Sequence, residues 1–387
     1  MIKDFFDYDE NLIKITKYDV LGKLPDPFTF EDGRKVSSKE DWEERRKEFY
    51  KTAVELQYGT IPPKPEVFHI ENIYSGKGMN YRITCGTKEK QTSFIMRILM
   101  DKDWTEYKNA PVVVDGDGCF PYPYDSEYTN AFLKRGIAYV SFNRCELAND
   151  VNDDGRKGPL FDIYPDYTFG CLGAWAWGYM RCVDALEEMG IFDLSTLAFT
   201  GHSRGGKTAM LAGVLDERCL IVNPNETNAG SCSCYRIHSE ILKEDGYTHP
   251  SETLKNIMEV FPQWFGPELA EYKEKENELP FDCHFLKALV APRILLVGEA
   301  ASDAWTNVPG TWQTSMAAME VFKFLGCEDN FKWYFRKGYH MHHPVDGEML
   351  ANLIMSVRGK EELYKDFYYK TPFKQMEKIW DWTVPGK

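Results

Sequence analysis

The stretch STLAFTGHSRGGKTAMLAG, residues 195–213, determines the fold. It begins with an apolar run of β-branched and aromatic residues, which is typical of a buried strand, and the residues after Ser203 are typical of a helix. Between them, Gly201 to Gly205 fits the pattern G-x-S-x-G, in which a serine on a strained turn exposes its hydroxyl at a sheet edge. This context predicts that Ser203 is a nucleophile, with a purely structural glycine turn as the alternative.

Short apolar runs on both sides of this turn alternate with helical stretches. Such runs lie at 110–118, 136–143, 219–224, 293–298 and 331–335, with a helix at 174–186. Nearly all-apolar strands that alternate with helices predict a parallel sheet covered on both faces. Alternating segments at 67–74 and 92–100 predict antiparallel strands before it. Together with the serine turn, this pattern predicts an α/β-hydrolase fold, a three-layer sandwich with a mainly parallel central sheet.

The 387 residues are enough for one large domain or two smaller ones. Residues 1–75 contain a charged helical segment at 38–49 and are expected to form an N-terminal helical or irregular cover. Residues 76–387 are expected to form the catalytic domain. Within it, the stretch at about 225–290 exceeds the usual length of a connection and predicts an inserted active-site region.

The chain is acidic, with 60 Asp and Glu against 46 Lys and Arg and a net charge of −14. This charge argues against nucleic acids and anionic membranes as partners, and it does not predict the oligomeric state. The first residues lack the basic region and apolar core of a signal peptide. A cytoplasmic location is therefore expected, or secretion if a leader has been removed.

A serine nucleophile needs a general base, and the chain has eight histidines. His340 follows the last predicted strand, where the chain order serine, acid, histidine of α/β-hydrolases places the base; His342 and His343 are its rivals. The three histidines do not have a recognised zinc-binding spacing, so we predict no metal and no cofactor. His202 is expected to point away from the site.

Two acids compete to orient the histidine. Asp303 follows the predicted strand at 293–298, and Glu226 follows the strand at 219–224. Both stand at the carboxyl ends of parallel strands, where α/β sheets place their sites. Asp303 could instead cap a helix, and Glu226 could pair with Arg236.

Several motifs together resemble the glucuronoyl esterases, the fifteenth carbohydrate esterase family. The resemblance covers roughly residues 105 to 355. Its most specific part is Gly201–Lys207 with a glutamate after the next strand. The matching segments are GHSRGGK (201–207), NPNE (223–226), CYRI (234–237), LPFDCH (279–284), ALVAPR (288–293), AW (304–305) and AWAWG (174–178).

The resemblance implies hydrolysis of the ester between (4-O-methyl)glucuronic acid on xylan and a lignin alcohol, through an acyl-enzyme and without a cofactor. It implies Ser203 as the nucleophile, His340 as the base and Arg204 as part of the oxyanion hole. Lys207 would hold sugar hydroxyls and Trp305 would pack beside the glucuronoyl ring. The resemblance places the triad acid at either position and slightly favours Glu226, whose spacing from Ser203 fits the family pattern, with Asp303 as a second or shared acid.

Two other functions are compatible with the same residues. One is a carbohydrate acetyl or feruloyl esterase of the same fold. The other is an inactive relative that binds carbohydrate, against which the intact Ser203, His340 and acids argue. For a glucuronoyl esterase and for an acetyl or feruloyl esterase, the expected substrate is a small-molecule or oligosaccharide ester.

Overall fold

A computed structural model describes residues 2–102, 108–120, 125–152 and 155–386. The strands are β1 (Lys14–Val20), β2 (Val67–Ser75), β3 (Gly78–Gly86), β4 (Gln91–Leu99), β5 (Pro111–Asp115), β6 (Ala138–Phe142), β7 (Asp193–His202), β8 (Ile221–Asn225), β9 (Ile237–Leu242), β10 (Thr248–Pro250), β11 (Ile294–Ala300) and β12 (Phe331–Arg336). The helices are α1 (Lys39–Phe49), α2 (Leu56–Tyr58), α3 (Asp125–Leu133), α4 (Pro159–Ile163), α5 (Cys171–Met189), α6 (Arg204–Leu215), α7 (Leu254–Val260), α8 (Cys283–Val290), α9 (Val308–Leu325) and α10 (Pro344–Val357).

In the described ranges, the large sheet has nine strands in the order β12-β11-β8-β7-β5-β6-β4-β3-β2. The six strands from β12 to β6 pair in parallel, and β4, β3 and β2 continue the sheet in antiparallel pairing. The mainly parallel sheet predicted from the apolar runs is confirmed. The strand β3, which the sequence analysis did not identify, lies between the two predicted antiparallel strands.

Helices cover both faces of this sheet. Val112 and Val114 of β5 contribute to a core shared with α5, α6, α8 and α9, whereas Val113 contributes to a second core shared with α3 and α10. Successive side chains of a strand point to opposite faces, so one buried strand supplies both cores. The three-layer α/β-hydrolase fold follows from this arrangement.

The N-terminal region is joined to the large sheet and to the inserted region. β1 pairs with β9 along 14–20 and 237–242, and β10 completes this small sheet. β2 is paired with β3 in the large sheet, so a boundary at residue 75 falls between two paired strands. Ser38 is the N-cap of helix α1, and its side chain accepts the Asp41 N–H. Among the described residues, no helix is both long and apolar enough to cross a bilayer.

Candidate active site

Ser203 lies in a strained turn between β7 and α6. Its φ of 56° and ψ of −118° are unusual for a residue other than glycine. The Ser203 N–H donates to the Asn225 carbonyl at 2.9 Å, and the Ser203 carbonyl accepts the Lys207 N–H at 3.0 Å. The first N–H groups of a helix have no acceptor within the helix, so the start of α6 offers donors beside Ser203. This is the geometry that the sequence predicts for a nucleophile.

The turn requires glycine at residue 201, and a substitution there tests it. We expect Gly201→Ala to lower the free energy of unfolding by about 1–3 kcal/mol, because a Cβ would overlap the Gly205 carbonyl group. Urea denaturation measures the change. Gly22→Ala is the control, since its added Cβ would meet the nearest atom, the Asn277 Cβ, at an ordinary 3.4 Å. A Gly201→Ala variant as stable as the control would contradict this close approach.

Asp117, which the sequence analysis did not single out, supports the turn from the end of β5. Its Oδ2 accepts the His202 N–H at 2.8 Å, and its carboxylate pairs with the buried guanidinium of Arg144. A Cβ at Gly205 would overlap the same carboxylate. The second glycine of G-x-S-x-G is therefore required by a buried ion pair beneath the turn.

His340 is bound to one of the two candidate acids. Its Nδ1 lies 2.5 Å from Oδ2 of Asp303 and 3.5 Å from Oε2 of Glu226. Asp303 and His340 lie in loops that follow the adjacent strands β11 and β12. The Ser302 N–H donates to the Gly338 carbonyl at 3.1 Å and joins these two loops. A carboxylate that accepts the Nδ1 proton leaves Nε2 free to take a proton from a nucleophile. The hydrogen bond to Asp303 is thus shorter than the contact with the acid that the sequence slightly favours.

Glu226 is completely buried at the end of β8, with a φ of 50°. Its Oε1 accepts a hydrogen bond from Arg336, and its Oε2 accepts the Met341 N–H at 2.9 Å. Burial raises the pKa of the Glu226 carboxyl, and the Arg336 charge opposes this effect. The alternative, a pairing of Glu226 with Arg236, is wrong, because Arg236 pairs instead with Asp282. Glu226 fixes the backbone of the loop immediately after His340.

The other histidines near the site have different roles. The expectation that His202 points away is wrong, because its ring centroid lies 4.6 Å from that of His340. This contact places His340 against the residue that precedes Ser203. Burial, followed by the electrostatic interaction with His340, lowers the pKa of His202 well below its ordinary value. His342 lies against Tyr128, with ring centroids 3.8 Å apart, and the His343 Nδ1 accepts the Val345 N–H at the start of α10.

One group of side chains in the described part of the chain has a spacing compatible with a metal ion. Ligand atoms of His202, Glu226 and His340 lie within 4.8 Å of one another. Glu226 is bound to Arg336 and the Met341 N–H, and His340 is bound to Asp303. The same atoms are therefore engaged in orienting the histidine.

Lys207 and Trp305 meet at a buried acid that the sequence analysis missed. This acid is Glu252, 5% exposed, whose Oε1 accepts the Trp305 Nε1–H at 3.1 Å. Lys207 is buried one turn after Ser203, donates to Asn228, and interacts electrostatically with Glu252. Trp305 is 43% exposed, so part of its ring is open to solvent. Asp303 and Trp305, two residues apart, connect the histidine to this polar group.

Arg204 is held at the edge of the site by an acid and aromatic rings. Its Nη1 donates to Asp150 at 3.0 Å, and its guanidinium lies 4.7 Å from the ring centroid of Trp264 and 5.0 Å from that of Phe261. The Asp150 carboxylate also accepts the Trp264 Nε1–H at 3.0 Å. The cation is therefore fixed beside the first turn of α6, where the sequence analysis expects an oxyanion contact.

The buried position of Glu252 leads to a pH-dependent stability. Burial raises the pKa of the Glu252 carboxyl from 4.5 to about 7, although the Lys207 charge and the Trp305 N–H oppose the shift. Below pH 4.5 the carboxyl is protonated in both the folded and unfolded states. Between pH 4.5 and 7 it ionises only on unfolding, which favours the unfolded chain by up to about 3 kcal/mol.

We therefore expect the wild-type protein to lose stability relative to Glu252→Gln as the pH rises from 4.5 to 7. Denaturant unfolding of both proteins across this range measures the difference in the free energy of unfolding. Above pH 7 the carboxyl is ionised in both states, and the difference should be constant. A difference that does not change between pH 4 and 8 would refute the raised pKa.

The fold and the comparisons with known proteins identify the class and then the family. The parallel sheet with its serine turn at the end of β7 defines an α/β-hydrolase. The chain belongs to the glucuronyl esterase family, a family of carboxylic-ester hydrolases, because the family model "Glucuronyl esterase, fungi" matches residues 83–326. The predicted family and enzyme class are thereby confirmed.

Curated relatives and solved structures support this assignment. The chain is 32% identical to a 4-O-methyl-glucuronoyl methylesterase of Podospora anserina over 84% of this chain and 64% of the relative. It is 30% identical to the enzyme of the same name from Hypocrea jecorina, over 94% and 76%. A carbohydrate esterase family 15 glucuronoyl esterase from Caldicellulosiruptor kristjansonii is similar in structure, with a TM-score of 0.82, 29% identity and coverage of 94% and 98%.

The expected cytoplasmic location is wrong. The family model and the curated relatives are glucuronoyl esterases, and these relatives are secreted enzymes that act on the plant cell wall. The composition of the first residues is therefore no guide to where this protein works.

Proposed function

We propose that this protein hydrolyses esters of glucuronic acid, including its 4-O-methyl ether, through an acyl-enzyme on Ser203. The observation that carries the proposal is the free oxygen of Glu252. Its Oε2 is buried and has no hydrogen-bond partner among the residues that the structure describes. A buried oxygen without a partner is costly, and a sugar hydroxyl would satisfy it.

The neighbours of Glu252 support a sugar acid as the substrate. Lys207 offers an ammonium donor one helical turn from the nucleophile, and Trp305 offers an exposed ring face held by its N–H. A ring face that packs on the sugar, with a donor and an acceptor for its hydroxyls, suits a glucuronoyl ring. We also propose that the inserted region at about 225–290 forms the cover of the site, since it carries Glu252.

The chemical steps follow from the same residues. The Ser203 hydroxyl attacks the ester carbonyl while His340 takes its proton, and Asp303 stabilises the imidazolium through Nδ1. The Arg204 N–H at the start of α6 and the nearby Arg204 cation stabilise the oxyanion. His340 then protonates the departing alcohol, and water releases glucuronate from Ser203. No step requires a metal or a cofactor.

A panel of esters tests this proposal. Methyl and benzyl glucuronate, the corresponding galacturonates, and an acetylated xylose are compared by kcat/KM. We expect the glucuronate esters to be hydrolysed fastest, and Lys207→Met to raise KM for them about tenfold or more, because a buried charged hydrogen bond to the sugar is lost. Faster hydrolysis of the acetyl ester would instead favour an acetyl esterase of the same fold.

A further inference from the structure

Asp150 has an almost fully buried carboxylate that lies between two arginines. Its side chain is 5% exposed, and a single oxygen, Oδ2, lies 3.0 Å from the Arg204 Nη1 and 4.0 Å from the Arg144 Nη2. The other oxygen, Oδ1, accepts the Trp264 Nε1–H at 3.0 Å. The carboxylate therefore joins the start of α6, the segment after β6 and the inserted region.

Arg144 connects this carboxylate to the support of the nucleophile turn. Its side chain is completely buried and pairs with Asp117, the acid that holds the turn at Ser203. The order Asp117, Arg144, Asp150, Arg204 thus alternates in charge from that turn to the cation proposed for the oxyanion. Removing one member of such a buried series leaves its neighbours as uncompensated charges, so the members fix one another's positions.

Arg204 depends on this anchor because its side chain is 28% exposed. A long side chain open to solvent has many rotamers, and holding it in one of them costs conformational entropy. The Asp150 carboxylate also screens Arg204 from the like charge of Arg144, which approaches the same oxygen. A cation stabilises a developing oxyanion best when it is already in place before the reaction.

We propose that Asp150 is a positioning residue for ester hydrolysis, which holds the Arg204 guanidinium where the oxyanion develops and ties it to the support of the Ser203 turn. This inference rests on the proposed acyl-enzyme mechanism. It assigns a function to a charge that does not contact the reacting atoms and acts on them through Arg204.

The steady-state kinetics of Asp150→Asn test the proposal. We expect kcat for methyl glucuronate to fall about ten- to hundredfold, a part of the loss of about a hundred- to thousandfold that removal of an oxyanion donor causes. KM should stay within about threefold of the wild-type value, because the oxyanion contact forms only in the transition state. An unchanged kcat would overturn the inference.

A double variant shows whether Asp150 acts through Arg204. Arg204→Met alone should lower kcat about a hundredfold or more, because the cation is lost. The Asp150→Asn/Arg204→Met double variant should stay within about twofold of Arg204→Met, since a residue that only positions a cation has no effect once the cation is absent. Losses that multiply in the double variant would show that Asp150 acts in another way and would overturn the inference.

Asp184→Asn is the matched control. Asp184 is also a buried acid between two arginines, Arg181 and Arg218. Arg218 precedes β8 and so lies at the amino ends of the parallel strands, opposite the site. This variant should lose stability, as Asp150→Asn does, but keep the wild-type kcat.

Trp264→Phe decides the question if Asp150→Asn does not fold. It keeps an aromatic ring beside Arg204 and removes the N–H that holds the Asp150 Oδ1, so kcat should fall about threefold at an unchanged KM. A wild-type kcat in this variant would then overturn the inference. A wild-type protein that hydrolyses an acetyl ester but no glucuronate ester would refute the proposed function instead, and the same comparisons on the acetyl ester would still test Asp150.

Discussion

Ser203→Ala should lower kcat for glucuronate esters by about 10⁴–10⁶-fold, the largest effect expected of any substitution in this protein. The reason is that the acyl-enzyme cannot form without the hydroxyl. The strained backbone at residue 203 places this serine at the start of α6. Initial rates on benzyl glucuronate at saturating concentration measure the loss.

The control for this experiment is Ser195→Ala, which removes an exposed serine near the other end of the same strand. It should have wild-type activity. Both variants should also unfold at wild-type denaturant concentrations or higher, because neither removes buried apolar surface. A Ser203→Ala variant that retained a tenth of the wild-type rate would exclude Ser203 as the nucleophile.

Asp303→Asn should lower kcat by about 10²–10⁴-fold, because an amide does not stabilise the imidazolium and can hold the wrong tautomer of His340. The fall in kcat caused by Glu226→Gln should be at least about tenfold smaller. The nearest Glu226 oxygen is 3.5 Å from the His340 Nδ1, compared with 2.5 Å for Asp303. The Glu226 carboxylate is also bound to Arg336 and the Met341 N–H. Both variants replace a carboxylate by an amide, so each serves as the matched control of the other.

The reverse order of effects would assign the triad to Glu226. Comparable losses, with the double variant no worse than either single one, would show that the two acids act as one unit. Either outcome is read from kcat with methyl glucuronate. Circular dichroism of each variant establishes that its overall secondary structure is retained.

The sequence predicts the features that depend on local pattern. The turn at Ser203, the apolar strands of the parallel sheet and the position of His340 all follow from short stretches whose residue types restrict the backbone. Strand β3 is missed because Gly78–Gly86 lacks clear alternation, with buried residues on both faces at its ends. Strand β1 is missed because it is stabilised by pairing with β9, more than 200 residues away along the chain.

The parts of the site that were not predicted depend on tertiary contacts. Glu252 lies between a short strand and a helix, and only the folding of β9 and β10 brings it to Trp305 and Lys207. The choice between Asp303 and Glu226 depends on 1 Å in the distance to one nitrogen, which no spacing in the sequence resolves. The signal for Asp117 in the sequence is its place two residues after the buried strand that ends at Asp115.

The most direct test of the account is covalent labelling with a fluorophosphonate, a reagent that reacts with activated serines. We expect a single adduct in the intact-mass spectrum, located by peptide mapping on Ser203, and at least about a hundredfold slower labelling in His340→Ala. Prior incubation with benzyl glucuronate should slow the reaction in the wild-type protein. Ester hydrolysis by a protein that carries no adduct on Ser203, or labelling that proceeds at the same rate without His340, would contradict it.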